Sequence, residues 1–410
     1  MIIKEYNEKK IPDMEVYELG DVYENYKELI KNSKILDFSP KVQAWTSSAS
    51  TKALSYYSHG IFRYFGKFPS IVARHLMSEY TSENDFVIDP MCGSGTTALE
   101  ALLLNRKALC SDINPLSTLI STVKITKIDK NKALEYFNDI KNYVGNNNST
   151  IICDLIGLKN PKHWFLKDTM ISLTKIKLAI QNIQMERQYK NLFMVAFLAI
   201  VRRVSTATTQ QGRLFLDIET AVKDVFPFFE KKSIEMINSL SIIPENKNIE
   251  IVQESALSLK SKRKAKLIIC HPPYFNSYKY SGINSLELAW FGEDHANVRK
   301  NEIREFFKVG NPDKVDTYVD DMTRVLYNIK NLLDNNGRLA LMIGDTVIKG
   351  NYIPVTQMLM NKTSDIYDVE LCTLRIPKFT EASWVASQRR KSSKVGINLC
   401  DLIVILKKKN

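Results

Sequence analysis

The chain has 410 residues, 44% of them hydrophobic and 25% charged. That composition is globular: it excludes a wholly disordered, collagen-like or coiled-coil chain, and the length points to two or three domains. The net charge of +12 favours a polyanionic partner, chiefly nucleic acid, although a Lys-, Asn- and Ile-rich composition bias accounts for the charge equally well.

The six cysteines, Cys92, Cys110, Cys153, Cys270, Cys372 and Cys400, form no C-x-x-C pair. Neither a disulfide framework nor a zinc site is expected, so no metal is expected, and a reducing cytoplasm is the simplest setting. The amino-terminal MIIKEYNEKK lacks the apolar core of a signal peptide, and the longest apolar stretch, around Leu192–Val201, is too short to span a bilayer. A soluble, cytoplasmic protein without a membrane partner is expected.

In chain order, residues 1–58 are polar and charged with scattered aromatics, and read as a helical or irregular extension. Phe65–Pro69 looks like a turn entering an amphipathic helix at Ser70–Tyr80. The run DFVID predicts a strand over Asp85–Asp89. A Gly-rich turn follows at Pro90–Gly95, then a helix from Thr96 to Asn105 and a second strand at Lys107–Asp112. This is the size of a parallel βαβ crossover. From about 127 to 245 the spacing of apolar residues is helical, clearest in Ile171–Ile183 and Leu192–Val204. Strand-like runs return at Ile249–Gln253, Leu267–Cys270, Arg338–Ile343, Glu370–Ile376 and Leu399–Leu406, the last two as an antiparallel pair. The expected fold is α/β: a Rossmann-like sheet formed by residues 59–126 and 246–410, with a mainly helical block inserted at 127–245. The alternative is that the block belongs to one large α/β domain.

Two segments carry chemistry. In Asp89-Pro90-Met91-Cys92-Gly93-Ser94-Gly95-Thr96-Thr97, a strand runs into a Gly-x-Gly turn and a helix start. Glycines let backbone approach a ligand closely, and the helix start adds free N–H groups. The spacing matches neither G-x-G-x-x-G nor a Walker A loop. Asp112, ending the second strand, is placed to bind ribose hydroxyls; a turn or cap residue is the plainer reading. The second segment is His271-Pro272-Pro273-Tyr274, directly after the run LIIC. Its prolines fix the turn, direct the carbonyls of His271 and Pro272, and leave Tyr274 to offer a flat face to a base. The plainer reading is a strand-ending turn.

The pair DPMCGSGTT and HPPY resembles the S-adenosylmethionine-dependent DNA amino-methyltransferases, which modify the exocyclic amine of cytosine (N4) or adenine (N6). The resemblance covers about residues 59–120 and 246–407. It implies a Rossmann-like methyltransferase sheet and S-adenosylmethionine as cofactor. Asp89, Pro90, Cys92, Gly93, Gly95, Thr96 and Asp112 would then bind that cofactor. Lys67 and Phe68 would fold over its methionine end, and Glu254 would lie near its adenine ring. Asn336-Gly337-Arg338 before LALMIGD resembles a later strand-and-turn motif of the family. His271, Pro272, Pro273 and Tyr274 would be the catalytic set, and residues 127–245 the target-recognition region. His271 departs from the family's Ser, Asp or Asn; neutral imidazole can still accept a hydrogen bond, and protonated imidazole cannot. The residues after the motif, Phe275 to Tyr280, resemble the cytosine-N4 group slightly more. Double-stranded DNA is the implied partner, with a cognate restriction endonuclease as a further one.

Basic clusters offer DNA contacts: Arg202 and Arg203, Arg213 within TTQQGR, the loop residues Arg389, Arg390 and Lys391, and the run Lys260–Lys266. Solvated loops are the alternative for each. Trp164-Phe165 reads as core. Competing functions are an RNA or tRNA base amine methyltransferase, and a methyltransferase-like DNA-binding protein whose catalysis decayed at His271.

Overall fold

The computed structural model describes residues 11–12, 14–18, 34–47, 49–50, 52–210, 213–217, 224–275, 280–303, 314–348, 351–377 and 401–409. Thirteen strands are present among them: β1 Glu15–Glu18, β2 Val42–Ser47, β3 Phe86–Asp89, β4 Lys107–Ser111, β5 Ala207–Gln210, β6 Arg213–Leu216, β7 Ile249–Val252, β8 Ala265–Cys270, β9 Leu333–Gly344, β10 Thr346–Ile348, β11 Asn351–Ile353, β12 Tyr367–Pro377 and β13 Asp401–Lys408. Nine form one sheet in the order β1-β2-β12-β13-β9-β8-β3-β4-β7. Strands β7, β4, β3, β8 and β9 run parallel, and β13 is antiparallel to both β9 and β12. The fold is the expected Rossmann-like α/β sheet.

The pleat divides the apolar runs between two cores. Val87, Leu267, Ile269 and Ala340 face one side; Ile88, Ile268, Cys270 and Leu341 face the other. Successive residues of a strand point to opposite faces, so a strand covered on both sides reads as an unbroken apolar run. Helices Val315–Lys330 and Val355–Lys362 cover the second face. Helices Ser70–Tyr80 and Thr96–Leu103 cover the first.

The helices of the 127–245 block share that first core. They comprise Lys130–Asn146, Lys167–Asn182, Arg187–Val201 and Phe226–Ser241. They meet the sheet domain through helices Pro115–Lys124 and Ser285–Phe291, where Trp290 takes Phe165 and Phe197 edge-on. The block lies between β4 and β7 in the chain, and its buried apolar residues belong to the core on the first face of the sheet. It also holds a hairpin, β5–β6, that helical periodicity did not predict.

The amino-terminal extension differs from its helical or irregular reading. β2 pairs parallel with β12, and β1 pairs antiparallel with β2, extending the sheet at its far edge. These strands are short and lie among charged residues, so local pattern did not mark them; an open sheet edge supplied the partner. The Asn336-Gly337-Arg338 segment lies within the bounds of β9 at an irregularity, where pairing passes from Ala265–Leu333 to Leu267–Arg338 and a Cβ at Gly337 would fall 2.7 Å from the Ala265 carbonyl oxygen.

From β3 the chain moves outward to β4 and β7, then returns to the other side of β3 at β8. The carboxyl ends of β3 and β8 therefore flank the point where strand order reverses, the place where open α/β sheets form a binding crevice.

Candidate active site

The Gly-rich turn is held by its own backbone. Asp89 Oδ1 accepts the Met91 N–H at 3.0 Å, and the Cys92 N–H reaches across to the Ser111 carbonyl at 2.8 Å. Gly93 and Gly95 adopt φ of 50° and 73°. A Cβ at Gly95 would lie 2.7 to 2.9 Å from Ser121, so only glycine passes there. Asp112 accepts N–H bonds from Gly93 and Asn114, each at 2.8 Å. Burial pushes the Asp112 carboxyl up to about 6 and that of Asp89 up to about 7. Asn114 caps the next helix through Oδ1, while its Nδ2 is buried without a partner among the described residues.

A second segment, residues 56–69, folds over this turn and is fixed by one buried carboxylate. Glu100, on the helix behind the turn, takes Tyr56 Oη and His59 Nε2 (2.7 Å) on Oε1 and Arg74 (3.0 Å) on Oε2. Lys67 Nζ donates to the His59 carbonyl at 2.9 Å. Lys124 is buried beneath, its Nζ 3.5 Å from Ser94 Oγ. Burial raises Glu100 to about 7 and lowers Lys67 to about 8. Burial, with the cations Lys67, Lys124 and Arg74, keeps His59 neutral.

His271 follows β8 across the crevice. Its ring lies 5.2 Å from that of Phe68, and Tyr274 meets it edge-on with Oη 3.3 Å from Nε2. Burial lowers His271 to about 4, with Arg375 lowering it further and Asp401 opposing, so the imidazole is neutral at pH 7. Tyr318 Oη donates to the Pro273 carbonyl at 2.7 Å and fixes the turn. The roof comes from residues 280–303. Tyr280 closes on Gly66, where a Cβ would sit 2.7 Å from its Oη, and Glu302 accepts from both N–H and Oγ of Ser281 at 3.0 Å. The cleft has about 890 Å³ of empty space, part of it open to solvent.

Lys67, Phe68, Asp89, Pro90, Cys92, Gly93, Asp112, His271 and Pro273 line this cleft together. Gly95 and Thr96 lie behind the turn, and Pro272 is buried beside it. Two residues sit differently from their expected places. Glu254 is exposed and off the cleft, tied to the sheet only by its carbonyl, which accepts from Ser111 Oγ; the neighbouring Ser255 and Ala256 line the cleft instead. Tyr274 is 8% exposed and turned edge-on to His271, so its face is not presented to the cleft.

Arg202 is engaged internally and not free for phosphate. Its guanidinium holds both Glu287 oxygens (2.9 and 2.8 Å) and the Ile283 carbonyl (2.6 Å). Arg203 is exposed over the Phe228 ring, and Arg213 pairs with Gln210 in β6. Arg389, Arg390 and Lys391 lie outside the described residues. Lys260–Lys264 precede β8, at the end of the sheet opposite His271. Sequence reasoning missed Glu100, Lys124, Tyr280 and Glu302. Only Glu100 left a signal, as the single acid in the apolar run TTALEALLLN. All five described cysteines are free, no metal-ligating cluster exists among the described residues, and no described helix is long and apolar enough to cross a membrane.

Comparison with known proteins adds to this geometry. Residues 3–121 match the model of a family described as DNA methylase. The type II methyltransferase M.BsoBI of Geobacillus stearothermophilus is 26% identical over 298 residues, 62% of this chain and 58% of that protein. M.MvaI of Kocuria varians, also a type II methyltransferase, is 31% identical over 133 residues, 31% of this chain and 29% of that protein. The chain thus covers less than two thirds of the length of either relative. Among solved structures, TrmN from Thermus thermophilus aligns over 88% of this chain and 55% of its own, with 9% identity and a TM-score of 0.34. No substrate follows from so distant a likeness.

Proposed function

We propose that this chain, a member of the S-adenosylmethionine-dependent DNA amino-methyltransferase family, moves a methyl group from S-adenosylmethionine to the exocyclic amine of a flipped base in DNA. Cytosine N4 is favoured over adenine N6. The observation that carries the reading is the shared cleft: the Gly-rich turn after β3 and His271 after β8 face each other from adjacent strands.

The residues present suit that cofactor. Asp112 keeps lone pairs for ribose hydroxyls beyond its two backbone bonds, Asn114 Nδ2 is an unused donor, and Gly93 leaves the backbone open to close approach. Lys67 and Phe68 close the methionine end. When bound, the cofactor supplies a methyl carbon already activated on a sulfonium.

The protein's part is placement and hydrogen bonding. In the tautomer whose Nε2–H donates to Tyr274 Oη, 3.3 Å away, His271 Nδ1 is left to accept one amine N–H. The Pro272 carbonyl accepts the other. Both bonds would draw electron density onto the amine nitrogen, and Nδ1 would take the proton that the amine gives up as the methyl carbon passes from sulfur, which departs as a neutral thioether, to nitrogen. A base inside a duplex cannot reach this cleft, so it must be flipped. Residues 127–245 form the target-recognition region, with Arg203, Arg213, Arg389, Arg390 and Lys391 contacting DNA. The designation of both relatives as type II methyltransferases supports a restriction–modification role in the cytoplasm beside a cognate endonuclease.

The test is transfer of labelled methyl to unmethylated DNA and to RNA in parallel, followed by nucleoside analysis. N4-methylcytosine in DNA is expected. N6-methyladenine would correct the base, and label in RNA alone would overturn the substrate.

A further inference from the structure

We infer that the hairpin β5–β6 is the ribbon that enters a groove of duplex DNA and contacts the bases flanking the target. The inference rests on the DNA reading above and names the element that would carry its sequence preference.

The hairpin pairs Ala207 with Leu216, Thr208 with Phe215, Thr209 with Leu214 and Gln210 with Arg213. One face is used internally. Ala207 and Leu214 pack on the core, and Thr209 Oγ1 accepts from Arg202 Nη1 at 3.1 Å. The other face carries the Thr208–Phe215 pair, and Phe215 is 41% exposed. Leu216, at the end of the first face, is 40% exposed, so β6 presents two adjacent large apolar side chains to solvent. Apolar side chains presented beside Thr contact thymine methyl groups or wedge between base steps, and a two-stranded ribbon fits the major groove.

The surroundings have the charge such a partner needs. The hairpin foot is pinned by Thr206, whose N–H and Oγ donate to the Trp164 and His163 carbonyls at 2.9 and 3.1 Å. Lys162 and Lys167 on that segment, and Arg203 before the hairpin, are exposed cations.

The ribbon is also tied to the cleft. Besides Thr209, Arg202 holds Glu287 and the Ile283 carbonyl, and its guanidinium lies 5.2 Å from the Phe65 ring of the segment over the cofactor turn. β6 packs against helix Tyr280–Ile283, whose Tyr280 lines the cleft. One buried ion pair thus sets the spacing between the ribbon and the place where the flipped base must arrive. Arg202 is a positioning residue in this arrangement.

The test is the double variant Thr208→Ala/Phe215→Ala in the full chain. Expected are a DNA KM raised about tenfold or more, relaxed sites by sequencing of methylated DNA, and an unchanged cofactor Kd. Thr208→Val, which keeps the fold and the volume, should move site preference in the same direction. Arg202→Lys keeps the charge but loses the paired geometry, and should lower kcat with little change in DNA affinity. A folded double variant with the wild-type KM and the wild-type sites would overturn the ribbon while leaving the DNA reading intact. Wild-type protein that labels RNA and no DNA would overturn both.

Discussion

The two sides of the cleft are built from different materials. The cofactor side is backbone: N–H groups of Gly93 and Asn114, glycines at positive φ, and one carboxylate that a short turn holds in place. The opposite side is side chains from distant parts of the chain: His271 after β8, and Tyr280 and Glu302 from the roof. Backbone donors need only a local sequence to be correct. Side-chain constellations need the whole fold.

The comparison breaks most visibly at His271. His271→Ala should lower the methyl-transfer rate about 100-fold or more while cofactor affinity holds, because a positioned acceptor acts on the transition state and not on cofactor binding. Steady-state kinetics alongside calorimetry would show it; equal losses in both would move His271 to the cofactor side. The next effect belongs to the turn. Gly95→Ala forces a Cβ into Ser121 at a φ of 73° and should cost about 2 kcal/mol of stability, with cofactor binding weakened at least as much as turnover.

pH separates the two sides without mutation. Asp112 is held near 6 and His271 near 4, each by burial. Below about pH 6 Asp112 takes up a proton and loses an acceptor, so cofactor Kd should rise as pH falls from 7 to 5. His271 stays neutral over that range, so kcat at saturating cofactor should stay flat. A fall in that kcat between pH 7 and 6 would mean that a group other than His271 controls turnover there, with Asp89 and Glu100, both held near 7 by burial, as the candidates.

Smaller effects sharpen the picture. Glu100→Gln replaces one acceptor oxygen with an N–H2 donor, so it cannot accept from both Tyr56 and Arg74, and should cost about 1–3 kcal/mol, read as a drop of a few degrees in Tm. Lys262→Ala/Lys264→Ala should leave DNA KM within about twofold, since surface cations far from the groove-facing side add little. A large rise there would place DNA on the opposite end of the sheet.

Most of the sheet could be read from the chain because buried parallel strands are unbroken apolar runs, as in LIIC. The closing antiparallel pair was readable for the same reason. β1 and β2 were not, since an edge strand among charged residues is defined by the neighbour that pairs with it. The hairpin β5–β6 was hidden for a related reason: four residues alternating on a ribbon are too few to stand out inside a helical block.

The site divides along the same line. Asp89, Gly93, Asp112 and His271 could be named from residue type and spacing, because they sit at or just after the ends of β3, β4 and β8, and parallel strands bring those ends together. Glu254 was placed by the resemblance and Tyr274 by its flat ring after two prolines, and the fold turned one to solvent and the other onto His271. Arg202 shows the limit most clearly: a basic pair in sequence reads as a phosphate contact, but a guanidinium within reach of Glu287 satisfies itself inside the protein. By itself the sequence determined which residues are chemically able to hold a cofactor and an amine. Only the tertiary structure decided which of them meet, because desolvation and pairing depend on neighbours far away in the chain.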